Sequence, residues 1–170
     1  MKFLVNWSVV ALAVCSQSHA AALKSAYLDA TQNIHIVTES GIDIKLTSGG
    51  HRNSVVLSPD GEVAAWLVEH RWTAPGEREP GSSELVIYRN GRARSIKCEP
   101  FIRQFWFTMK GRRVGIDCGG SHFAGREILY DSRTLKPVAS FQQSEVPVAQ
   151  RPSWSASSEH FESASDNLPQ

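Results

Sequence analysis

The chain has 170 residues, 41% of them hydrophobic and 21% charged, and a formal net charge of +1. That length suits one domain with a real core. The near-balance of charge argues against general electrostatic attraction to nucleic acid. After the first residues, no stretch approaches the roughly 20 apolar residues of a membrane helix.

The chain opens with Lys2, a mostly apolar run from Phe3 to Val14, and Ser18-His19-Ala20. A positive start, a short apolar core and small residues around a cleavage point describe a secretory signal peptide spanning residues 1–20. The expectation is therefore an exported, periplasmic protein with no membrane span. "LAVC" at Leu12 to Cys15 loosely resembles a lipoprotein cleavage box, so lipid anchoring at Cys15 is the alternative. Removing Lys2 with the leader leaves 17 basic residues against 17 acidic ones. Cys98 and Cys118 then enter an oxidising compartment, where an even pair reads as a disulfide. A loop of that length should stabilise by roughly 3 kcal/mol.

Strand periodicity dominates residues 21–141, which are expected to form a single all-β domain. "NIHIVTESGIDIKLTS" alternates apolar and polar residues on both sides of Ser40-Gly41, the pattern of a hairpin. "SVVLS", a Pro59-Asp60-Gly61 turn and "EVAAWLVE" follow. A long connection leads to "ELVIY", an Asn90-Gly91 turn and "RARSI". Asn-Gly is a strong hairpin signal, because both residues tolerate positive φ. "FWFTMKGRRVGI … EILYDSRTLKPVASF" then repeats the same plan. Each unit is an antiparallel meander of four strands, the unit from which propeller blades are built. Two such units and a hairpin are too few to close a propeller, which leaves a propeller-like array or a two-sheet sandwich. Cys98 follows the last strand of one unit and Cys118 lies in the second strand of the next, so their bridge would tie the two sheets. Residues 142–170 turn polar and rich in Ser, Pro and Gln. Such a composition buries too little apolar surface to offset its ordering entropy, and a disordered tail is expected.

Few residues suggest catalysis. "DCGGSHFAGRE" sets Asp117, Ser121 and His122 near glycines, but adjacent Ser121 and His122 would point opposite ways on an extended chain. No strand-to-helix elbow follows them, so a glycine-rich hairpin loop is the simpler reading. The histidines are scattered with no metal-ligand spacing, and neither metal nor cofactor is expected. A basic stretch (Arg89, Arg92, Arg94, Lys97, Arg103, Lys110, Arg112, Arg113) has only Glu99 opposing it locally. It reads as solvent-facing turn and edge charges, with steering of an acidic partner as the other possibility. "FIRQFWF" reads mainly as core.

The connection "HRWTAPGEREPGSS" takes fourteen residues between two good strands. Hairpins need two to five, and long structureless loops in small domains are typically functional or disordered. Trp72 favours function, since aromatic residues anchor interfaces.

The "LSPDG" turn and the "ELVIY" strand resemble TolB-type β-propeller repeats. "VVLSPDGEVAAWLVE", "GSSELVIY" and "FTMKGRRVGIDCGGS", within residues 54–120, resemble periplasmic immunity proteins that neutralise type VI secreted peptidoglycan amidases. The resemblance implies a non-catalytic inhibitor whose serine-bearing loop enters the cysteine–histidine cleft of a cell-wall hydrolase. It places Gly81, Ser82 and Ser83 at the plug, and Trp72, which the resemblance does not supply, is read from its residue type as a flanking anchor. The loop here is longer than the family pattern and carries Trp72 and Pro75. The alternative from another class is a TolB-like envelope scaffold or interaction module with no inhibitory role.

Overall fold

Alternation of apolar and polar residues becomes three antiparallel sheets in the computed structural model, which describes residues 22–70, 81–120 and 123–157. The N-terminal sheet has the order β1 (Leu23–Leu28), β2 (Ile34–Thr38), β3 (Asp43–Lys45). The middle sheet is a meander of β4 (Arg52–Leu57), β5 (Val63–His70), β6 (Gly81–Arg89) and β7 (Arg92–Lys97). The C-terminal sheet repeats it with β8 (Ile102–Thr108), β9 (Arg113–Gly120), β10 (Phe123–Asp131) and β11 (Pro137–Gln142). The all-β, propeller-like expectation holds. Strand β1 is an addition that the sequence pattern did not mark.

The sheets stack face to face, and the pleat decides which residue meets which neighbour. On β5, Val63, Ala65 and Leu67 join Leu85, Ile87 and Ile96 on one face and pack against Ile102, Phe105, Val114 and Ile116 of the C-terminal sheet. Ala64 faces the other way and meets Leu23 and Ile36. The middle sheet is thus buried on both sides. Full burial of each large aliphatic side chain contributes about 1.5–3 kcal/mol.

Turn chemistry fixes the register. Asn90 and Gly91 take φ of 52° and 75°, and Arg89 pairs with Arg92 directly across the two-residue turn. The Ser58 hydroxyl donates to Asp60 and accepts from the Val63 N–H, closing the β4–β5 turn. The backbone N–H of Leu23 donates to the Gly61 carbonyl at 2.9 Å, which ties β1 to that turn. Cys98 and Cys118 form the expected disulfide, with Cα atoms 6.0 Å apart, and link the end of β7 to β9.

A stack of three sheets leaves two outward faces, and a repeat array needs each to be polar or covered. The N-terminal sheet presents Tyr27, His35, Asp43 and Lys45. The C-terminal sheet is covered by the chain itself, which corrects one expectation. Residues 143–157 are not a disordered tail but a segment packed across the outer face of β8–β11. Trp154 packs on Phe141 with the rings tilted at 57° and their centroids 5.5 Å apart, and its carbonyl accepts from Trp106 Nε1 at 2.8 Å. Gln143 is fully buried and Ser157 nearly so. Residues 158–170 lie outside the described residues, as does the expected signal peptide with Cys15.

Candidate functional site

Antiparallel meanders put alternate connections at opposite ends of the molecule. The β5–β6 and β9–β10 connections share one end with the disulfide. In the C-terminal sheet the link from Gly120 to Phe123 takes two residues, whereas the one from His70 to Gly81 takes ten. Ser121 and His122, and Trp72 within 71–80, lie outside the described residues.

The residues expected at the tip of the long loop are placed differently. Gly81, Ser82 and Ser83 open strand β6, with Gly81 opposite His70 and Ser82 opposite Glu69. Gly81 lies against the ring of Phe101, where a Cβ would come within 2.1 Å of a ring carbon. Ser82 is buried and accepts from Asn53 Nδ2 at 3.5 Å, and the same amide donates to Glu69 Oε1 at 2.6 Å. The Ser83 carbonyl accepts from the Cys98 N–H. These three residues hold the base of the connection rather than forming its tip. The strand signal was hidden because β5 and β6 end on polar partners instead of apolar ones. Beside them, His70 and Phe123 are solvent-exposed, and His70 lies 3.9 Å from Glu84.

The catalytic candidate Asp117 has a structural role. It sits fully buried on the outer face of β9, directly opposite Glu127 of β10. Arg103 donates Nη2 to Asp117 at 2.6 Å and Nε at 3.1 Å, and its other donors reach the carbonyls of Gly120 and Phe123. The covering segment completes the cluster. The Ser157 hydroxyl donates to Asp117, Gln143 links Arg103 to Glu127, and Arg151 lies 3.5 Å from Glu127. Two buried carboxylates are thus matched by two guanidiniums and several hydrogen bonds, as burial of charge demands.

The glycine-rich motif is explained by the same cluster. A Cβ on Gly115 would strike the Trp106 indole at 2.4 Å. One on Gly119 or Gly125 would strike the Arg103 guanidinium at 2.7 Å. These glycines make the bed in which two large side chains lie, a packing role that requires no nucleophile.

The basic stretch is less unopposed than its sequence suggests. Arg89 pairs with Glu62, Arg103 with Asp117 and Arg113 with Asp131, all partners distant in sequence. On the N-terminal sheet the structure gathers residues that the sequence reading passed over. His35 bonds Asp43 at 2.9 Å and Asp29 at 3.3 Å, and Lys45 reaches Asp29 at 3.1 Å. The Asn33 N–H and the Thr31 hydroxyl hold the Asp29 carboxyl well below the usual range, with Lys45 assisting. The Tyr27 hydroxyl and then His35 lower Asp43. The alternation of His35 with Ile34 and Ile36 was the available signal, but the partners lie across strands. Among the described residues no group of three or more His, Cys, Asp or Glu is arranged to hold a metal ion, and no helix is long and apolar enough to cross a membrane.

No family model matches the chain, and no curated protein matches it. Among solved structures, the chain is similar to a protein of Bacteroides fragilis NCTC 9343 assigned as a 6-phosphogluconolactonase, with 11% identity and a TM-score of 0.40. The match covers 70% of this chain and 38% of that one. A likeness at this level carries no functional inference.

Proposed function

We propose that the protein is an exported, non-catalytic binding protein of the immunity type, acting in the periplasm to inhibit a cell-wall hydrolase. The reading is supported by one comparison: two meanders of the same plan make the same link with ten residues in one and two in the other. Strand pairing needs only the shorter link, so the extra residues serve something besides the fold. The base of the connection is rigid, fixed by β5–β6 pairing, by Gly81 against Phe101 and by the Cys98–Cys118 bridge. A connection held in this way loses less entropy on docking. The contact then falls on residues 71–80, Trp72 among them. Ser82 supports it from within the sheet.

The test is the release of fragments from purified peptidoglycan by secreted cysteine amidases, with and without the protein. Inhibition by the whole chain, lost when residues 72–80 are removed, is the expected result. A chain that inhibits none of these enzymes, or that inhibits equally without the connection, sinks the proposal. A non-inhibitory envelope scaffold is favoured by a separate observation, the blade-like stack closed at its C-terminal face by its own chain. That reading predicts envelope binding that survives the same deletion.

A further inference from the structure

At the end of the molecule away from the β5–β6 connection, the β4–β5, β6–β7 and β10–β11 turns surround an open cleft of about 1290 Å³. Pockets for small molecules run to roughly 300–1,000 Å³, so this one is large enough for a segment of polymer. Arg89, Arg92, Arg94 and Arg133 line it, together with Asp60 and Glu62. The two acids are engaged already. Glu62 pairs with Arg89, and Asp60 accepts from the Ser58 hydroxyl and the Glu62 N–H. Arg94 is fixed by donating to the carbonyls of Arg133 and Thr134, both at 2.9 Å, which joins β7 to the β10–β11 turn. Among the described residues no carboxylate lies within ion-pair distance of Arg92, Arg94 or Arg133. Three guanidiniums, two of them on edge strand β7 and one across the cleft, are therefore left with their full charge.

Charges on an edge strand also discourage sheet aggregation. That role accounts for neither Arg133 on its turn nor the locked geometry of Arg94. We propose that the cleft binds an acidic, extended peptide segment of a protein partner. Its carboxylates meet Arg92 and Arg133, whose forked donors match carboxylate geometry, and Arg94, its own fork held by two carbonyls, adds its charge between them. Its intervening apolar side chains lie on Ile44 and Tyr88, which share the lining. A glycan would be met by stacked aromatic platforms, and Tyr88 is the single aromatic ring among the lining residues. Asp60 and Glu62 oppose a densely charged polyphosphate. The site lies at the other end from residues 71–80, so it does not rest on the inhibitory reading.

The probe is a fluorescein-labelled octapeptide alternating glutamate with valine, measured by anisotropy against the full chain. It should bind saturably, with an affinity that falls as salt rises. Replacing its glutamates by glutamine should weaken binding at least tenfold, and so should Arg92→Glu with Arg133→Glu in the protein. Both arginines are exposed, so the variant should fold; if it does not, the glutamine peptide still decides. Removing residues 72–80 should leave this binding unchanged, which separates failure here from failure of the inhibitory reading. No saturable binding at millimolar peptide, equal binding of the glutamine peptide, or stronger binding of heparin or polyphosphate overturns the proposal.

Discussion

The middle and C-terminal sheets are built on one plan of four antiparallel strands, and they differ in how each meets what lies beyond the sheet. The middle sheet is covered on both faces by other sheets, and its faces are accordingly apolar, with aliphatic residues beside the buried Trp66. The C-terminal sheet has a neighbour on one side only. Its outer face carries Trp106, Asp117, Glu127 and Leu129, and the chain folds residues 143–157 back to cover them. The connections differ in the opposite sense: ten residues between β5 and β6, two between β9 and β10. One meander has its elaboration in a connection, the other in a cover. An elaboration that satisfies buried charge belongs to the fold, whereas one that strand pairing does not require is free to serve binding.

The contrast can be broken most severely at the cover. Ending the chain after Gln142 would strip partners from Asp117, Glu127 and Arg103 and expose an apolar face. Leaving buried charges uncompensated costs about 3–5 kcal/mol for one pair alone. We expect a melting temperature lowered by many degrees and self-association visible by light scattering. A melt like that of the full chain would mean that residues 143–157 cover nothing of consequence.

Next in size is the link between the two meanders. Cys98→Ser should cost roughly 3 kcal/mol by the chain-entropy estimate. The loss should appear as a lower denaturation midpoint, and a reducing agent should bring the native protein to the same value.

A smaller difference lies in the last turn of each meander. The β6–β7 turn relies on Asn90-Gly91, the β10–β11 turn on a carboxylate. The Thr134 N–H chiefly, with the Thr134 hydroxyl, the Arg133 N–H and the Arg113 charge, holds Asp131 below the ordinary carboxylate range. A carboxyl lowered in the folded state contributes stability above its unfolded pKa, about 3.9, and loses it as pH falls through the folded value. Asp131→Asn should therefore lower stability above about pH 4 and flatten its loss below that pH, so that the two proteins converge in acid. An acid titration of the unfolding midpoint decides this, and parallel curves for the two proteins would remove Asp131 from the turn's energetics.

Much of this was legible in the sequence, and the omissions have physical reasons. Val63, Ala65 and Leu67 alternate with partners that another sheet buries, so period-two patterning exposed β4–β7 and β8–β11. Asn90-Gly91 needed nothing beyond its own backbone preferences. Residues 143–157 were misread because composition measures apolar surface, and this segment is held largely by polar groups meeting buried charge. Arg151, Gln143 and Ser157 look like solvent-loving residues until Asp117 and Glu127 are known to lie beneath them. Gly81-Ser82-Ser83 looked like a loop for a similar reason, since their cross-strand partners are polar. Arg89, Arg92 and Arg94 were visible as part of a basic stretch, but Arg133 lies outside it, and which arginines lack carboxylate partners depended on contacts far along the chain.

The smallest expected effect on stability carries the most weight for function. Replacing residues 71–80 by a two-residue Asn-Gly turn would give the middle sheet the short link of its neighbour. Closing a shorter connection costs less entropy, so stability should be unchanged or higher by about 1 kcal/mol. Amidase inhibition measured beside the melt of the same preparation tests the assignment directly. Full stability with inhibition lost is the predicted result; inhibition retained at full stability contradicts it.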